Sequence, residues 1–159
     1  MIRACEENDL PTVMDIGNRA WAPIYEMFKG RYGSELFQIL VPSPITVKGE
    51  QLMAHWRQHP DWFLVCTSDD GRIVGFITFS MDSERKIGEV GNNAVDPTCG
   101  LKGIGQQLYA AVFERFCREE MLFAKVGTGL DEAHAPARRA YERAGFNIQH
   151  EQITYYRKL

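Results

Sequence analysis

The chain has 159 residues, of which 45% are hydrophobic and 25% charged, and its formal net charge is −3 at pH 7. This size predicts one domain over residues 1–159 with a core of its own, and the acidic balance disfavours a dedicated nucleic-acid-binding protein. No apolar run is long enough for a transmembrane helix, and the N-terminus lacks the basic flank and apolar stretch of a signal peptide. Four cysteines without CxxC spacing indicate a reducing compartment. We therefore expect a cytoplasmic protein with no membrane or nucleic-acid partner.

The first part of the chain is predicted to be a short strand followed by helices. Asp9 suits the N-cap of a helix and Pro11 its first turn, whereas Pro23 is expected to interrupt that helix. The predicted elements are a strand over 2–5, a helix from Asp9 to Trp21 or Tyr25, an interruption at Pro23, Gly30 and Gly33, a short helix over 36–40, and a helix over 46–58.

From residue 62 onwards, strands alternate with helices. The predicted strands cover 62–67, 72–81, 86–95 and 122–126, with a final strand over 146–156, and the predicted helices cover 103–119 and 134–144. The helix over 103–119 is the strongest, because apolar residues recur every four positions at Ile104, Leu108, Val112 and Phe116. Gly145 suits the C′ position of the last helix. The alternation predicts an α/β (α+β) protein with a mixed sheet covered by helices.

A glycine-rich turn precedes the strongest predicted helix. Gly100, Gly103 and Gly105 carry no Cβ, and the first N–H groups of a helix are free, so a phosphate can approach the backbone closely, with Lys102 as a charged contact. The turn lacks the Gly-Lys-Ser/Thr of a P-loop and breaks the third position of the dinucleotide pattern G-x-G-x-x-G. The alternative interpretation is an ordinary helix start with convenient turn residues.

Two segments with matching spacing carry a family resemblance. The first is Val95-Asp96-Pro97 followed by Gly100-Leu101-Lys102-Gly103-Ile104-Gly105, and the second is His134, Ala137, Tyr141, Gly145 and Phe146. Together with the order of elements, they make the chain similar to the GNAT superfamily of acetyl-CoA-dependent N-acetyltransferases. Gly100 stands where that family usually has Arg or Gln, and His134 stands where Asn is commonest.

The resemblance implies the GNAT fold, with a mixed, mostly antiparallel sheet of six to seven strands and a splayed parallel pair. It implies acetyl-CoA as co-substrate and no metal. The pantetheine arm would pair with the exposed strand edge at 91–95, where Gly91-Asn92-Asn93 fits a bulge that opens the gap. The implied cofactor-binding residues are Asn93, Ala94, Val95, Leu101, Lys102, Gly103, Ile104, Gly105, Gln106, His134 and Ala137.

The implied reaction moves an acetyl group to a primary amine of a small molecule or peptide by direct attack. Tyr141 is the candidate general acid and Glu89 the candidate general base, with ordered water as the alternative to Glu89. Four aromatic residues, Trp21, Tyr25, Phe28 and Tyr32, either wall the acceptor pocket or serve ordinary packing. Arg138, Arg139 and Arg143 either contact phosphates or form a solvated face.

Two other function classes remain open at this point. One is a non-catalytic acyl-CoA-binding sensor or interaction module, which would bind acetyl-CoA but release no thiol. The other is a nucleotide-binding regulator that uses the same glycine turn. A homodimer is also left open.

Overall fold

The chain folds into one five-stranded sheet, in a computed structural model that describes residues 1–159. In sheet order, which is also chain order, the strands are β1 (Ile2–Ala4), β2 (Phe63–Thr67), β3 (Ile73–Asp82), β4 (Ile87–Val95) and β5 (Phe123–Val126). The first four strands pair antiparallel, whereas β4 and β5 are parallel. The mixed sheet with a parallel pair is as expected, but it has five strands rather than six to seven.

The missing strand is the one predicted over 146–156, since residues 147–159 form no regular element. Four consecutive polar residues at 149–152 break the apolar alternation, and Ile148 and Ile153 are 82% and 71% exposed, so neither face of the segment has a core to cover. The segment instead follows the surface, where Tyr156 contacts Tyr32 edge to face.

Four helices cover the two faces of the sheet. They are α1 (Leu10–Leu40), α2 (Val47–Gln58), α3 (Ile104–Arg118) and α4 (Ala135–Arg143). The expected interruption of α1 at Pro23 is wrong: the helix continues through this exposed residue, because solvent can satisfy the carbonyl that proline leaves without a donor. Gly33, with φ +75°, does break the helical path. No helix combines the length and apolar character needed to cross a membrane.

The core lies in two layers, one on each side of β3. Helices α1 and α2 pack with Phe63, Val65 and Phe76 on one face, and α3 packs with Ile77 and Phe79 on the other. The predicted apolar stripe of α3 is confirmed, since all four of its residues are buried; they are Ile104, Leu108, Val112 and Phe116. The sheet therefore holds α1 and α3 against opposite faces of β4 near its end.

Candidate functional site

The sheet opens between β4 and β5. Their pairing runs from Ile87 opposite Phe123 to Val90 opposite Val126, and β5 ends there. Strand β4 continues to Val95, so its residues from 91 onwards have no partner on this side. The opening exposes a strand edge that an extended ligand can pair with.

A β-bulge lies where the opening begins. Ile77 pairs with Asn93 and Phe79 with Val90, so two residues of β4, Gly91 and Asn92, stand opposite one residue of β3. Glycine is required here, because a Cβ on residue 91 would lie 2.5 Å from the Thr78 hydroxyl oxygen. The predicted bulge at 91–93 is thus present and turns β4 away from β5.

The opening leads into a cleft of about 630 Å³ between the two helical layers. Of the sequence-predicted site residues, the cleft lining contains Glu89, Asn93, Ala94, Val95, Gly105, His134, Ala137 and Tyr141. The other five predicted residues, Leu101, Lys102, Gly103, Ile104 and Gln106, do not line it. They form the turn and first helical residues at one end of the cleft, and the Ile104 side chain belongs to the core.

The turn before α3 presents a row of free backbone donors. None of the N–H groups of residues 101–106 bonds to another backbone group, and the first bond of the helix runs from the Gln107 N–H to the Gly103 carbonyl at 3.1 Å. Gly100 and Gly103 have φ of +68° and +79°, and no atom lies within 3.9 Å of a Cβ built on Gly103. A left-handed residue followed by helical ones forms a concave row of N–H groups that suits an anion.

The entrance to this turn is fixed by an ion pair that the sequence did not reveal. Arg19 of α1 contacts both carboxylate oxygens of Asp96, with its Nη1 3.1 Å from Oδ1. The Arg19 guanidinium, together with the backbone N–H and hydroxyl of Thr98, holds the pKa of Asp96 below its usual range. The two residues are 77 positions apart, so only the fold brings them together.

Tyr141 is fixed by the end of helix α4. The Phe146 N–H bonds to the Tyr141 carbonyl at 3.1 Å and the Gly145 N–H to the Glu142 carbonyl at 3.0 Å, with Gly145 at φ +97°. This is the Schellman arrangement, and the rings of Phe146 and Tyr141 supply its hydrophobic contact. The predicted C′ role of Gly145 is confirmed, and it positions the phenol in the cleft.

The Tyr141 hydroxyl belongs to a chain of three polar side chains. The Tyr109 hydroxyl donates to Asn93 Oδ1 at 2.8 Å, and Asn93 Nδ2 donates to the Gly91 carbonyl at 3.1 Å and to the Tyr141 hydroxyl at 3.4 Å. Because the carbonyl can only accept, the amide nitrogen of Asn93 must face Gly91 and Tyr141. The Tyr141 oxygen therefore accepts from Asn93, and its own proton remains available to the cleft.

Glu89 lies beside the opening but has a partner. Its Oε2 accepts a hydrogen bond from Lys125 Nζ of β5 at 3.0 Å, and its side chain is 46% exposed. Its neighbours in the strand, Gly88 and Val90, face α3, so Glu89 points to the opposite side of the sheet, toward the layer of α1. Glu89 and Tyr141 thus line the same cleft from different elements.

His134 lines the cleft at the start of α4, with its ring held from behind. Its Nδ1 lies 2.8 Å from each carboxylate oxygen of Asp131, which places the Nδ1 proton toward that carboxylate and leaves Nε2 without a partner. Arg138 Nη1 bonds to the carbonyls of Gly129 and Asp131 at 2.7 and 2.6 Å. Arg138 thus supports the loop under His134 and does not form part of a solvated face.

The second helical layer contributes Trp21 and, behind it, Lys48. Of the four aromatic residues predicted to wall an acceptor pocket, Trp21 lines the cleft. Phe28 and Tyr32 do not line the cleft; they stack on each other with ring centroids 5.4 Å apart, and the Phe28 ring lies 6.1 Å from that of His134. Lys48 Nζ lies 4.4 Å from the centroid of the Trp21 ring and 3.0 Å from Asn92 Oδ1.

Tyr109 and Lys48 were both missed in the sequence. Tyr109 follows a core position of an apolar helix face, and Lys48 opens an ordinary amphipathic helix, so neither stands out by type or spacing. The one available sign that the helix packs closely near Lys48 was the neighbouring Gly49. Glycine weakens a helix, so within one it usually has a packing reason.

Comparisons with known proteins agree with this architecture. The model of the "Acetyltransferase (GNAT) family" matches residues 21–146. A mycothiol acetyltransferase of Segniliparus rotundus is 31% identical over 112 residues, which cover 68% of this chain and 41% of that protein. An S-(2-succino)cysteine N-acetyltransferase of Bacillus subtilis is 34% identical over 101 residues, covering 57% of this chain and 61% of that protein. The chain thus spans about two fifths of the first relative and three fifths of the second.

The fold also matches solved structures. The PaiA N-acetyltransferase of Thermoplasma acidophilum in complex with coenzyme A superposes with a TM-score of 0.73 at 18% identity. The match covers 96% of this chain and 92% of that one. This similarity concerns the overall arrangement of strands and helices.

Proposed function

Because the chain belongs to the GNAT acetyltransferase family, we propose that it transfers an acetyl group from acetyl-CoA to a primary amine by direct attack in a ternary complex. One observation carries the proposal. The unpaired edge of β4 and Tyr141 line one cleft, and the turn that carries the free N–H groups of residues 101–106 lies at its end, where Gly105 joins the lining. Residues 1–159 would act as one acetyltransferase domain.

The residues present fit coenzyme A in its chemistry. The row of N–H groups before α3 suits a pyrophosphate, and the free edge of β4 at Asn93, Ala94 and Val95 suits the amides of a pantetheine arm. His134, just before α4, and Ala137 of α4 line the same cleft as that edge. Where other family members have Arg or Gln, this chain has Gly100, which offers no side-chain contact. The space beside it is open, since no atom lies within 4 Å of a Cβ built there.

Tyr141 is suited to the role of general acid. When bound, acetyl-CoA supplies a thioester, and breaking that bond leaves a thiolate that needs a proton. Burial raises the pKa of Tyr141, although the hydrogen bond from Asn93 opposes this, so the phenol keeps its proton at neutral pH. Because Asn93 donates to the phenol oxygen, the proton is directed elsewhere, and the cleft is where it can be delivered.

Glu89 is the proposed general base. It faces the α1 side of the cleft, opposite the α3 side from which Tyr109 reaches Asn93, so it is placed to take a proton from an amine bound between α1 and β4. Lys125 holds the carboxylate at one oxygen, and the other oxygen has no partner within the chain. An ordered water bound to Glu89 could carry the proton over any remaining distance.

The acceptor is proposed to be a small-molecule amine. The named activities of the two curated relatives concern mycothiol and S-(2-succino)cysteine, which are small molecules. The cleft volume of about 630 Å³ has to hold the acceptor together with the reactive end of acetyl-CoA. That volume favours a compact amine over a folded protein surface.

Two measurements test the function. Acetyl-CoA at millimolar concentration is expected to raise the melting temperature by mass action, and a panel of small amines is expected to give thiol release above the hydrolysis background. Binding without thiol release for every amine would favour a non-catalytic acyl-CoA sensor. A larger melting shift with ATP than with coenzyme A would favour a nucleotide-binding regulator.

A further inference from the structure

Lys48 is a buried cation without a carboxylate partner. Its residue is only 7% exposed, and none of the ion pairs in the chain includes it. One of its three N–H groups donates to Asn92 Oδ1 at 3.0 Å. On another side, the centroid of the Trp21 ring lies 4.4 Å from Nζ. Buried ammonium groups are normally paired, so an unpaired one needs an explanation.

The position of the Lys48 side chain is set by the close packing of α1 against α2. The Lys48 stem crosses Gly17 of α1, where a Cβ would lie 3.4 Å from Lys48 Cγ and 2.5 Å from Leu52 Cδ1. The next residue, Gly49, allows α2 to approach so closely that its N–H reaches Asn18 Oδ1 at 2.7 Å. Two glycines thus give the lysine a path to the sheet, at a cost in helix propensity of about 1 kcal/mol each.

The ammonium group ends beside the acceptor side of the cleft. Both of its neighbours, Trp21 and Asn92, line that cleft. Asn92 is the bulge residue next to Asn93, which holds Tyr141. The positive charge is therefore placed on the α1 side of the point where the sheet opens.

We propose that Lys48 recognises a carboxylate on the acceptor, so that the acceptor is an amine that also carries an acid group. This inference rests on the proposed acetyltransferase function and narrows its substrate class. The spare donors of the ammonium would bind the carboxylate, which would supply the missing counter-charge.

Electrostatics favours this pairing over a purely structural lysine. Burial lowers the pKa of Lys48 to about 8, which is the response of an ammonium that lacks a neighbouring anion. A bound carboxylate would restore the charged form and gain strength from the low-dielectric surroundings. Around Lys48, the contacting groups named above are an amide and an indole, neither of which carries a charge.

The experiment compares matched acceptors. Pairs of amines that differ only as free acid and methyl ester, with the carboxylate on the α-carbon or on a longer arm, are assayed by thiol release with saturating acetyl-CoA. The wild type is expected to prefer the acid of at least one pair by roughly 10-fold or more in kcat/KM. Lys48→Met is expected to abolish that preference through the acceptor KM, while the KM for acetyl-CoA stays within about 3-fold. Lys29→Met, on the exposed part of α1, is the control and should behave as wild type.

Each result separates this inference from the proposed function. Esters acetylated as well as acids by the wild type would overturn the carboxylate role and leave the acetyltransferase intact, and this comparison needs no variant to fold. Equal losses for acid and ester in Lys48→Met would make the lysine structural. No thiol release with any acid or ester would contradict the proposed function itself.

Discussion

Two walls of the cleft differ in the chemical groups that they present to it. The wall formed by the β4 edge, the turn at 96–103 and the start of α3 presents backbone N–H groups and glycines. The wall formed by α1 and α2 presents side chains, chiefly Trp21 backed by Lys48. A backbone wall depends on the path of the chain and tolerates many side chains, whereas a side-chain wall changes with each substitution.

In the proposed reaction, this difference suits a separate task for each wall. Every member of a family that uses the same acyl donor needs the same donor-binding surface, which a fixed backbone path supplies. Acceptors differ, and side chains on α1 and α2 can be exchanged without disturbing the turn. Arg19 joins the two walls through Asp96, so the path of the turn is tied to the helix that carries Trp21.

The largest effect is expected from Tyr141→Phe, since Tyr141 is the proposed general acid and its hydroxyl lies between the two walls. Removing the hydroxyl should lower kcat by roughly 100-fold, in the range of a lost general acid. The affinity for acetyl-CoA should stay within about 3-fold, because the proposed binding groups for acetyl-CoA are backbone N–H groups away from the phenol. Stopped thiol-release assays and calorimetric titration measure the two quantities. Tyr155→Phe, at an 84% exposed tyrosine, is the control, and unchanged kcat in Tyr141→Phe would remove the phenol from the mechanism.

The next effect concerns the backbone wall alone. Gly103→Val places a β-branched residue at φ +79°, within the row of free N–H groups, and should weaken acetyl-CoA binding by roughly 30-fold. Gly71→Val imposes the same kind of strain at φ +85° in the turn between β2 and β3, away from the cleft. Both variants should lose similar unfolding free energy, about 1–2 kcal/mol. Equal affinities in the two variants would show that the turn does not bind the ligand.

The backbone wall could be predicted from the sequence because its determinants are local. A glycine turn followed by a periodic apolar helix marks the free N–H groups, and Gly91-Asn92-Asn93 marks the bulge, all within short segments. The last strand was predicted wrongly, since four polar residues at 149–152 interrupt its apolar alternation and the fold gives Ile148 and Ile153 nothing to cover. Local pattern thus predicts an element only where tertiary burial agrees with it.

In the side-chain wall, Trp21 was among the predicted residues, but Lys48 and its contact were beyond sequence reasoning for the opposite reason. Lys48 and Asn92 are 44 positions apart, and their contact exists only because Gly17 and Gly49 let two helices approach. A lysine at the start of a helix normally faces solvent, and nothing in its type shows that this one is buried. The same holds for Tyr109, whose hydroxyl reaches Asn93 from inside a core face.

A third prediction concerns the unfolding free energy that is lost because Lys48 is buried in the side-chain wall. Burial lowers the pKa of Lys48 to about 8 from an ordinary 10.5, so between these values the unfolded chain binds more protons than the folded one. The contribution of this lysine to the unfolding free energy therefore rises with pH across that window and is unfavourable below it. Lys48→Met should be more stable than wild type at pH 7 by roughly 1–3 kcal/mol. Urea denaturation at pH 7 and near pH 10 measures the difference, which should shrink at the higher pH.

The unfolding free energies of the variant and the wild type are compared at the same pH, so the contributions of other titrating groups cancel. Lys29→Met, at an exposed lysine, should show no such difference at either pH. A Lys48→Met protein that is less stable at pH 7 would mean that the contacts with Trp21 and Asn92 outweigh the cost of burying the charge.

The smallest effect is expected from Tyr109→Phe, which tests how Asn93 at the edge of β4 holds the Tyr141 hydroxyl. Losing the hydrogen bond to Asn93 Oδ1 should cost about 1 kcal/mol of unfolding free energy and reduce kcat by roughly 5-fold, with little change in the acetyl-CoA KM. A positioning role requires that the kcat effect pass through Tyr141. In a Tyr141→Phe background, Tyr109→Phe should therefore lower stability as before but leave kcat unchanged. An additive loss of kcat would mean that Tyr109 acts on the reaction by another route, because the hydrogen-bond chain through Asn93 would no longer explain it.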